Sequence, residues 1–253
     1  MERITSVHNN KIKEAAALTT TKGRKQSGLF IVEGQKLVAE LVRCGIELTR
    51  VFVKEGAVFN VDNLGCEAFE VSESVLKKIS AMETPQEVIA IAKMPSRTVD
   101  ASEEFILALD AIQDPANMGA ILRSAEAFGV KSVVLGNGCH DPYSQKTLRG
   151  AMGSVFRLNI LQKPLKEYLL TKKEQGYTII GAGLDKNYKT VDTLYQSQKK
   201  IIVIGNEGNG VSNEVMSVCD FGMFIPMSGQ NESLNAAVAA SIIMWENKRQ
   251  SEQ

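Results

Sequence analysis

From residue 105 onward, short apolar runs alternate with stretches of helical periodicity. Residues 105–112, 130–135, 155–160, 178–184, 200–205 and 221–226 read as strands. Residues 119–129, 144–152, 164–175 and 233–248 read as helices between or after them. On the first of these helices Ile121, Leu122, Ala125 and Phe128 share one face. A strand that is apolar along its whole length has to be covered on both sides, and crossover helices supply the covers. The expected architecture is α/β with a parallel sheet.

The chain ahead of this region is patterned differently. Residues 29–32, 48–53 and 87–92 read as strands, and 35–44 and 72–80 as helices, which makes a small α/β unit. Residues 94–104 are polar, carry Pro95 and read as a linker. The expected division is therefore 1–93, a linker at 94–104, and 105–253. With 253 residues, 44% hydrophobic and 23% charged, the composition is that of a globular protein. Four cysteines, at 44, 66, 139 and 219, form no C-x-x-C pair, and there are two histidines, His8 and His140. That argues against a metal site or disulfide framework and makes a reducing cytoplasm the simpler expectation. The N-terminus lacks the apolar core of a signal peptide, and no stretch approaches the roughly 18 apolar residues of a membrane span.

Three polar segments interrupt the regular pattern. The first, Gln113-Asp-Pro-Ala-Asn-Met-Gly119, lies between a strand and a helix, where α/β proteins place ligand loops. Asn117 can cap the helix there, and Pro115 and Gly119 can shape the turn. Arg123 follows one turn later, off the apolar stripe. The second, Gly205-Asn-Glu-Gly-Asn-Gly210, follows the apolar run 201–204. It matches neither the G-x-G-x-x-G fingerprint nor a phosphate-binding G-K-[ST] loop. Glu207 in its middle would repel a phosphate and suits a cation or an N–H donor. Gly181-Ala-Gly183 also follows a strand and reads as a turn. The third segment, Ile225-Pro-Met-Ser-Gly-Gln-Asn-Glu-Ser-Leu-Asn235, runs into an alanine-rich helix for which Ser233 is a natural N-cap.

In order and spacing these segments resemble the three signature motifs of the SpoU (TrmH-type) RNA ribose 2′-O-methyltransferases of the SPOUT superfamily. Asn117 and Arg123 match the first motif. Asn206, Glu207 and Gly208 match the second, and Pro226, Ser233, Leu234 and Asn235 the third. The resemblance covers roughly residues 105–248, with a weaker match over 1–93 to a ribosomal-protein-like RNA-binding domain. It implies a sheet whose C-terminal segment is threaded into a deep trefoil knot, and a homodimer. It implies S-adenosylmethionine as cofactor, held by Gly205, Asn206, Glu207, Gly208, Ile225, Met227, Ser233, Leu234 and Asn235, with no metal. It assigns the catalytic site to Arg123, Asn117, Glu207, Ser233 and Asn235.

The RNA partner is expected to be ribosomal, of the large subunit, rather than transfer RNA, because an N-terminal domain is present. A non-catalytic RNA-binding adaptor of the same fold is the alternative, which the intact motif residues disfavour. Residues 1–28 carry Arg3, Lys11, Lys13, Lys22, Arg24 and Lys25 against Glu2 and Glu14, although the whole chain is formally neutral. The segment 19–25 reads as a flexible loop whose Lys22, Arg24 and Lys25 meet phosphates.

Overall fold

The computed structural model describes residues 1–251 except 63, 101, 197 and 229–232. In chain order the elements are β1 (Glu2–Ile4), α1 (Asn10–Ala17), α2 (Thr21–Ser27), β2 (Leu29–Glu33), α3 (Gln35–Arg43), β3 (Leu48–Lys54), β4 (Glu67–Val71), α4 (Glu73–Ile79) and β5 (Val88–Lys93). There follow β6 (Phe105–Leu109), α5 (Pro115–Ala127), β7 (Ser132–Leu135), α6 (Gln145–Ala151), β8 (Asn159–Gln162), α7 (Leu165–Glu174) and β9 (Thr178–Ala182). The chain then runs through β10 (Lys189–Thr190), β11 (Lys200–Ile204), α8 (Asn213–Met216), β12 (Phe221–Phe224) and α9 (Ala236–Ser251). No described helix is long and apolar enough to cross a membrane.

By internal contacts the chain divides into two compact units. One comprises Met1–Ser96 together with Asp141–Phe156, the other Arg97–His140 together with Arg157–Gln253. In the first unit a five-stranded mixed sheet has the order β1-β4-β3-β5-β2. Its core joins Ile12 and Ala15 of α1, Val75, Leu76 and Ile79 of α4, and Phe52 and Phe69, whose rings stack at 5.8 Å.

The grouping of 141–156 differs from the sequence-based division, which kept 105–253 together. The reasons are specific. Arg24 is 2% exposed, and its guanidinium pairs with Asp141 at 2.7 Å while donating to the carbonyl of Leu18 at 2.8 Å. Phe30 packs on Tyr143 and Phe156, and Gln145 donates to Glu33. The segment around Arg24 is also a helix rather than a flexible loop. Thr20 caps α2 by accepting from the Gly23 N–H, and Gly28 closes it at φ 68°.

In the second unit seven strands are all parallel, in the order β10-β12-β9-β11-β6-β7-β8. Every residue of β7 and β11 is buried, as the uninterrupted apolar runs require of strands covered on both faces. One covering layer packs Leu165 and Leu169 of α7 and Val215 of α8 onto Ile106, Ile179, Ile201 and Val203. Several elements differ in place or extent from the sequence reading; the last helix, read as 233–248, is Ala236–Ser251. Residues 154–156 form a 3-10 turn before β8 starts at Asn159, and α5 begins at Pro115 rather than 119. Gly181 and Ala182, read as a turn, belong to β9.

The order of strands fixes where a ligand can sit. From β6 the chain moves outward through β7 to β8, then crosses to β9, β11, β12 and β10 on the other side. The winding direction reverses beside β6. In open α/β sheets the carboxyl ends of the strands at such a reversal leave a crevice for ligands. The first and second polar segments leave β6 and β11, the adjacent strands at that point, and the third leaves β12.

Candidate active site

The strand ends are held together by the backbone and by two short side chains. The Asp110 N–H donates to the carbonyl of Ile204 at 2.8 Å, and its carboxylate accepts from the Ser212 N–H at 2.8 Å. Asn206 donates from Nδ2 to the carbonyl of Ala111 at 2.9 Å. Ala111 sits at φ 54°, a left-handed conformation that alanine seldom adopts, as happens where a loop is held in a functional shape. Asn206 also organises its own loop. It pairs with Gly210 through two backbone hydrogen bonds of 2.9 Å, and its Oδ1 accepts from the Gly208 N–H at 2.9 Å.

The helix after β6 is capped by Asp114, not by Asn117. The Asp114 carboxylate accepts from the N–H groups of Ala116 and Asn117, and Pro115 occupies the first turn, where no amide donor is needed. That frees the Asn117 side chain. Its Nδ2 donates to Glu207 Oε1 at 2.6 Å, and its Oδ1 accepts from Asn235 Nδ2 at 2.9 Å. Likewise Asn235, not Ser233, caps the last helix, with Oδ1 accepting from the N–H groups of Ala237 and Val238. One residue from each segment thus forms a continuous chain, Asn235 to Asn117 to Glu207, across 118 and 90 positions of sequence. An N–H donor is the partner that a carboxylate among glycines calls for.

Beside this chain lies a cavity of about 490 Å³, within the range of roughly 300–1,000 Å³ of small-molecule sites. Gly205, Asn206, Glu207, Gly208, Ile225, Met227, Ser233 and Leu234 all line it. Asn235 and Asn117 do not; they stand in the hydrogen-bonded chain beside it. Residues 229–232 of the third segment fall outside the described residues. Part of one wall was not foreseen. Tyr188 lies against Gly183 and Gly222, where a Cβ would come within 2.7 and 2.4 Å of its ring. Asp185 and Asn213 also line the cavity. The signal for this wall was the pair of glycines, one directly after β9 and one within β12, which permit a ring to approach the sheet closely.

Arg123 is exposed on α5, and its side chain has no hydrogen bond or ion pair among the described residues. It is a cation left available to solvent. The neighbouring Ser124 faces α9 instead and accepts from Ser241 at 2.8 Å. No group of three or more His, Cys, Asp or Glu that could hold a metal ion occurs among the described residues.

The two cysteines of this unit are not reactive groups. Burial pushes the thiols of Cys139 and Cys219 up to about 11. At pH 8 about one thiol in a thousand would be ionised at such a value. Both should therefore resist thiol reagents in the native protein and react on unfolding, as read by mass spectrometry of alkylated peptides. Rapid native labelling at either position would contradict the burial argument.

Residues 104–245 match the model of the SpoU rRNA Methylase family, and residues 9–90 match an MRM3-like substrate binding domain. The chain belongs to the SpoU rRNA methylase family. Among its relatives is the 23S rRNA (guanosine(2553)-2′-O)-methyltransferase RlmP of Bacillus subtilis, 34% identical over 246 residues, covering 97% of this chain and 98% of that protein. The SpoU methyltransferase AviRb of Streptomyces viridochromogenes, solved with AdoMet, superposes with a TM-score of 0.87 at 26% identity, covering 97% and 99% of the two chains. An AdoMet-bound rRNA methyltransferase of Sinorhizobium meliloti gives 0.86 at 29% identity, covering 98% and 97%. The expected fold is the fold of these SpoU-family neighbours, SPOUT enzymes whose sheet carries a trefoil knot.

Proposed function

We propose that this chain transfers a methyl group from S-adenosylmethionine to a ribose 2′-hydroxyl of large-subunit ribosomal RNA. The observation that carries the reading is the Asn235–Asn117–Glu207 chain, which joins the three family motifs beside one cavity at the reversal point of the sheet. Its neighbours in sequence and structure include rRNA 2′-O-methyltransferases and AdoMet complexes.

The residues present fit that cofactor. The cavity is lined by apolar Ile225, Met227, Leu234 and Ile243, by backbone at 204–211, and by the carboxylates Asp185 and Glu207, with no lysine or arginine among the described lining residues. Such a lining disfavours a phosphate and suits a cationic ligand. When bound, S-adenosylmethionine supplies a methyl group already activated by its sulfonium charge. Backbone groups at Gly205, Ile225 and Leu234 hold its adenosine part, with Asn206, Gly208, Met227 and Ser233 around them. Asn117 keeps Glu207 and Asn235 in register. Arg123 works by charge: a guanidinium offers donors and no acceptor, so the 2′-hydroxyl proton leaves to solvent as the oxygen takes the methyl. It anchors an adjacent phosphate and stabilises negative charge developing on the 2′-oxygen.

The protein works as a homodimer in the cytoplasm on this reading. Val238 and Trp245 of α9 are 47% and 50% exposed, apolar surface of the kind a second subunit covers. Calorimetry with S-adenosylmethionine, light scattering, and mapping of ribose methylation in rRNA from a deletion strain test the proposal together. Absence of cofactor binding would leave the adaptor reading in its place.

The RNA-binding set changes from the sequence expectation. Arg24 is consumed by Asp141 and is out of reach of a phosphate. Lys22 and Lys25 are exposed, with no ion pair among the described residues. Replacing both by alanine should lower the log–log salt slope of RNA binding by roughly 0.7–0.9 for each phosphate that these lysines engage. An unchanged slope would make α2 a bystander.

A further inference from the structure

The first unit contains a cavity of its own, of about 880 Å³, that none of the three motifs reaches. It is walled by the end of β2, the first turn of α3, the segment 81–87 and α6. One carboxylate ties these walls together. Glu33 accepts from Ser80 Oγ at 2.8 Å, from the Gln86 N–H at 2.8 Å and from Gln145 Nε2 at 3.4 Å. With three donors on it, Glu33 is spent on construction. The cations are not spent. Lys36, Lys146 and Arg149 line the cavity, are exposed, and have no side-chain partner among the described residues. Most other lysines and arginines of β1, α1, β3 and β5 do have carboxylate partners: Arg3 with Glu55, Lys11 with Glu67, Arg50 with Glu14 and Glu67, Lys54 with Glu73, and Lys93 with Glu47. Three unpaired cations from two helices thus stand around one hollow.

The interior of that hollow is of two kinds. Half-buried Leu37 and Met82 give an apolar floor, backed by the buried Leu148, and the amides of Gln35, Gln86 and Gln145 stand beside it. The remaining carboxylate at the rim is Glu87. α3 begins at Gly34 without a side-chain cap, so its first amides border the cavity with their donors open. A flat apolar ring with a polar edge and an attached phosphate would match all of these groups at once. Sequence-selective RNA recognition uses unpaired nucleotides, with bases splayed out, laid on a side-chain surface and read along their edges.

We infer that the cavity bounded by residues 31–37, 81–87 and 145–149 binds an unstacked nucleotide of the RNA substrate, the base on the apolar floor and the flanking phosphates on Lys36, Lys146 and Arg149. This rests on the RNA-methyltransferase reading. It adds a second RNA anchor, separate from the methyl-transfer site, that selects single-stranded over paired substrate.

The test measures binding of a fluorescein-labelled single-stranded RNA oligomer, of the matching RNA duplex and of AMP, by anisotropy or calorimetry. The triple variant Lys36→Ala, Lys146→Ala, Arg149→Ala should bind the oligomer at least about tenfold more weakly, with a salt slope lower by up to about 2. Ala81→Phe, which fills the cavity without changing charge, should weaken it about tenfold with the slope unchanged. The wild type should prefer the single strand to the duplex and bind AMP far more weakly than the oligomer. Weaker binding on removing the cations but not on filling the cavity would overturn the inference, leaving a charged surface only. AMP bound as tightly as the oligomer would also overturn it, in favour of a free-nucleotide site. Should Ala81→Phe fail to fold, crosslinking of a 4-thiouridine oligomer to the wild type decides. Adducts within the three cavity segments support the site, and adducts confined elsewhere remove it. S-adenosylmethionine binding, measured on every sample, reports separately on the methyltransferase reading.

Discussion

Arg123→Ala is expected to fold, bind S-adenosylmethionine like the wild type, and transfer methyl on the order of 100-fold more slowly or worse, the usual cost of losing one preorganised electrostatic group. Folding should survive because the side chain is exposed and unpartnered among the described residues, while Met118, Ile121, Leu122 and Ala125 bury the opposite side of α5. Cofactor binding should survive because Arg123 is not among the residues lining the cavity. On the proposed mechanism the effect falls on the reacting ribose, where a fixed positive charge offsets the developing oxyanion. Arg123→Lys should recover little, since an ammonium cannot present two parallel donors to a phosphate. Single-turnover methyl transfer at saturating RNA isolates this step from RNA affinity. A wild-type rate there would reduce Arg123 to an ordinary surface residue.

How much of this was legible in the sequence depends on the range of the interaction. β6 and β11 were plain as apolar runs, because a strand buried on both faces has no polar alternation to confuse it with anything exposed. The cap of α5 was also within reach of local reasoning, since Asp114 before Pro115 is a start signal that Asn117, three residues after the cap, obscured. α2 was hidden for a local reason. Its inward residue is Arg24, so it has no apolar periodicity to detect. What made Arg24 a structural residue is Asp141, 117 positions away, and nothing near Arg24 in sequence announces it. The same holds for the site. Each of Asn117, Glu207 and Asn235 has an adequate local explanation as a cap or turn residue. Resemblance to a family joined them on paper, and the strand order joins them in space.

Gly205 gives the sharpest test of that spatial argument. A Cβ at this position would lie 2.0 Å from the carbonyl carbon of Gly210 and from the nitrogen of Val211. Both are backbone atoms of a loop closed on itself, so no side chain can swing aside to make room. Gly205→Ala must therefore open the 206–210 turn. The two Asn206–Gly210 backbone hydrogen bonds would be strained first, and with them the bond from Asn206 to Ala111. Overpacking of this kind costs typically about 1–3 kcal/mol, and each broken hydrogen bond about 0.5–1.5 kcal/mol more. A total near 3 kcal/mol would lower the melting temperature by roughly 6–12 °C for a protein of this size. The functional effect should be of similar size. Glu207 sits in the middle of the displaced turn, so its bond to Asn117 would go, and one wall of the cavity with it. Cofactor affinity, measured by calorimetry below the melting transition, should fall by about 100-fold, equivalent to about 2.7 kcal/mol. RNA binding through the first unit should persist, since that unit has a sheet and a core of its own. Near-normal cofactor affinity in Gly205→Ala would mean that the 206–210 loop is not the wall that holds the methyl donor.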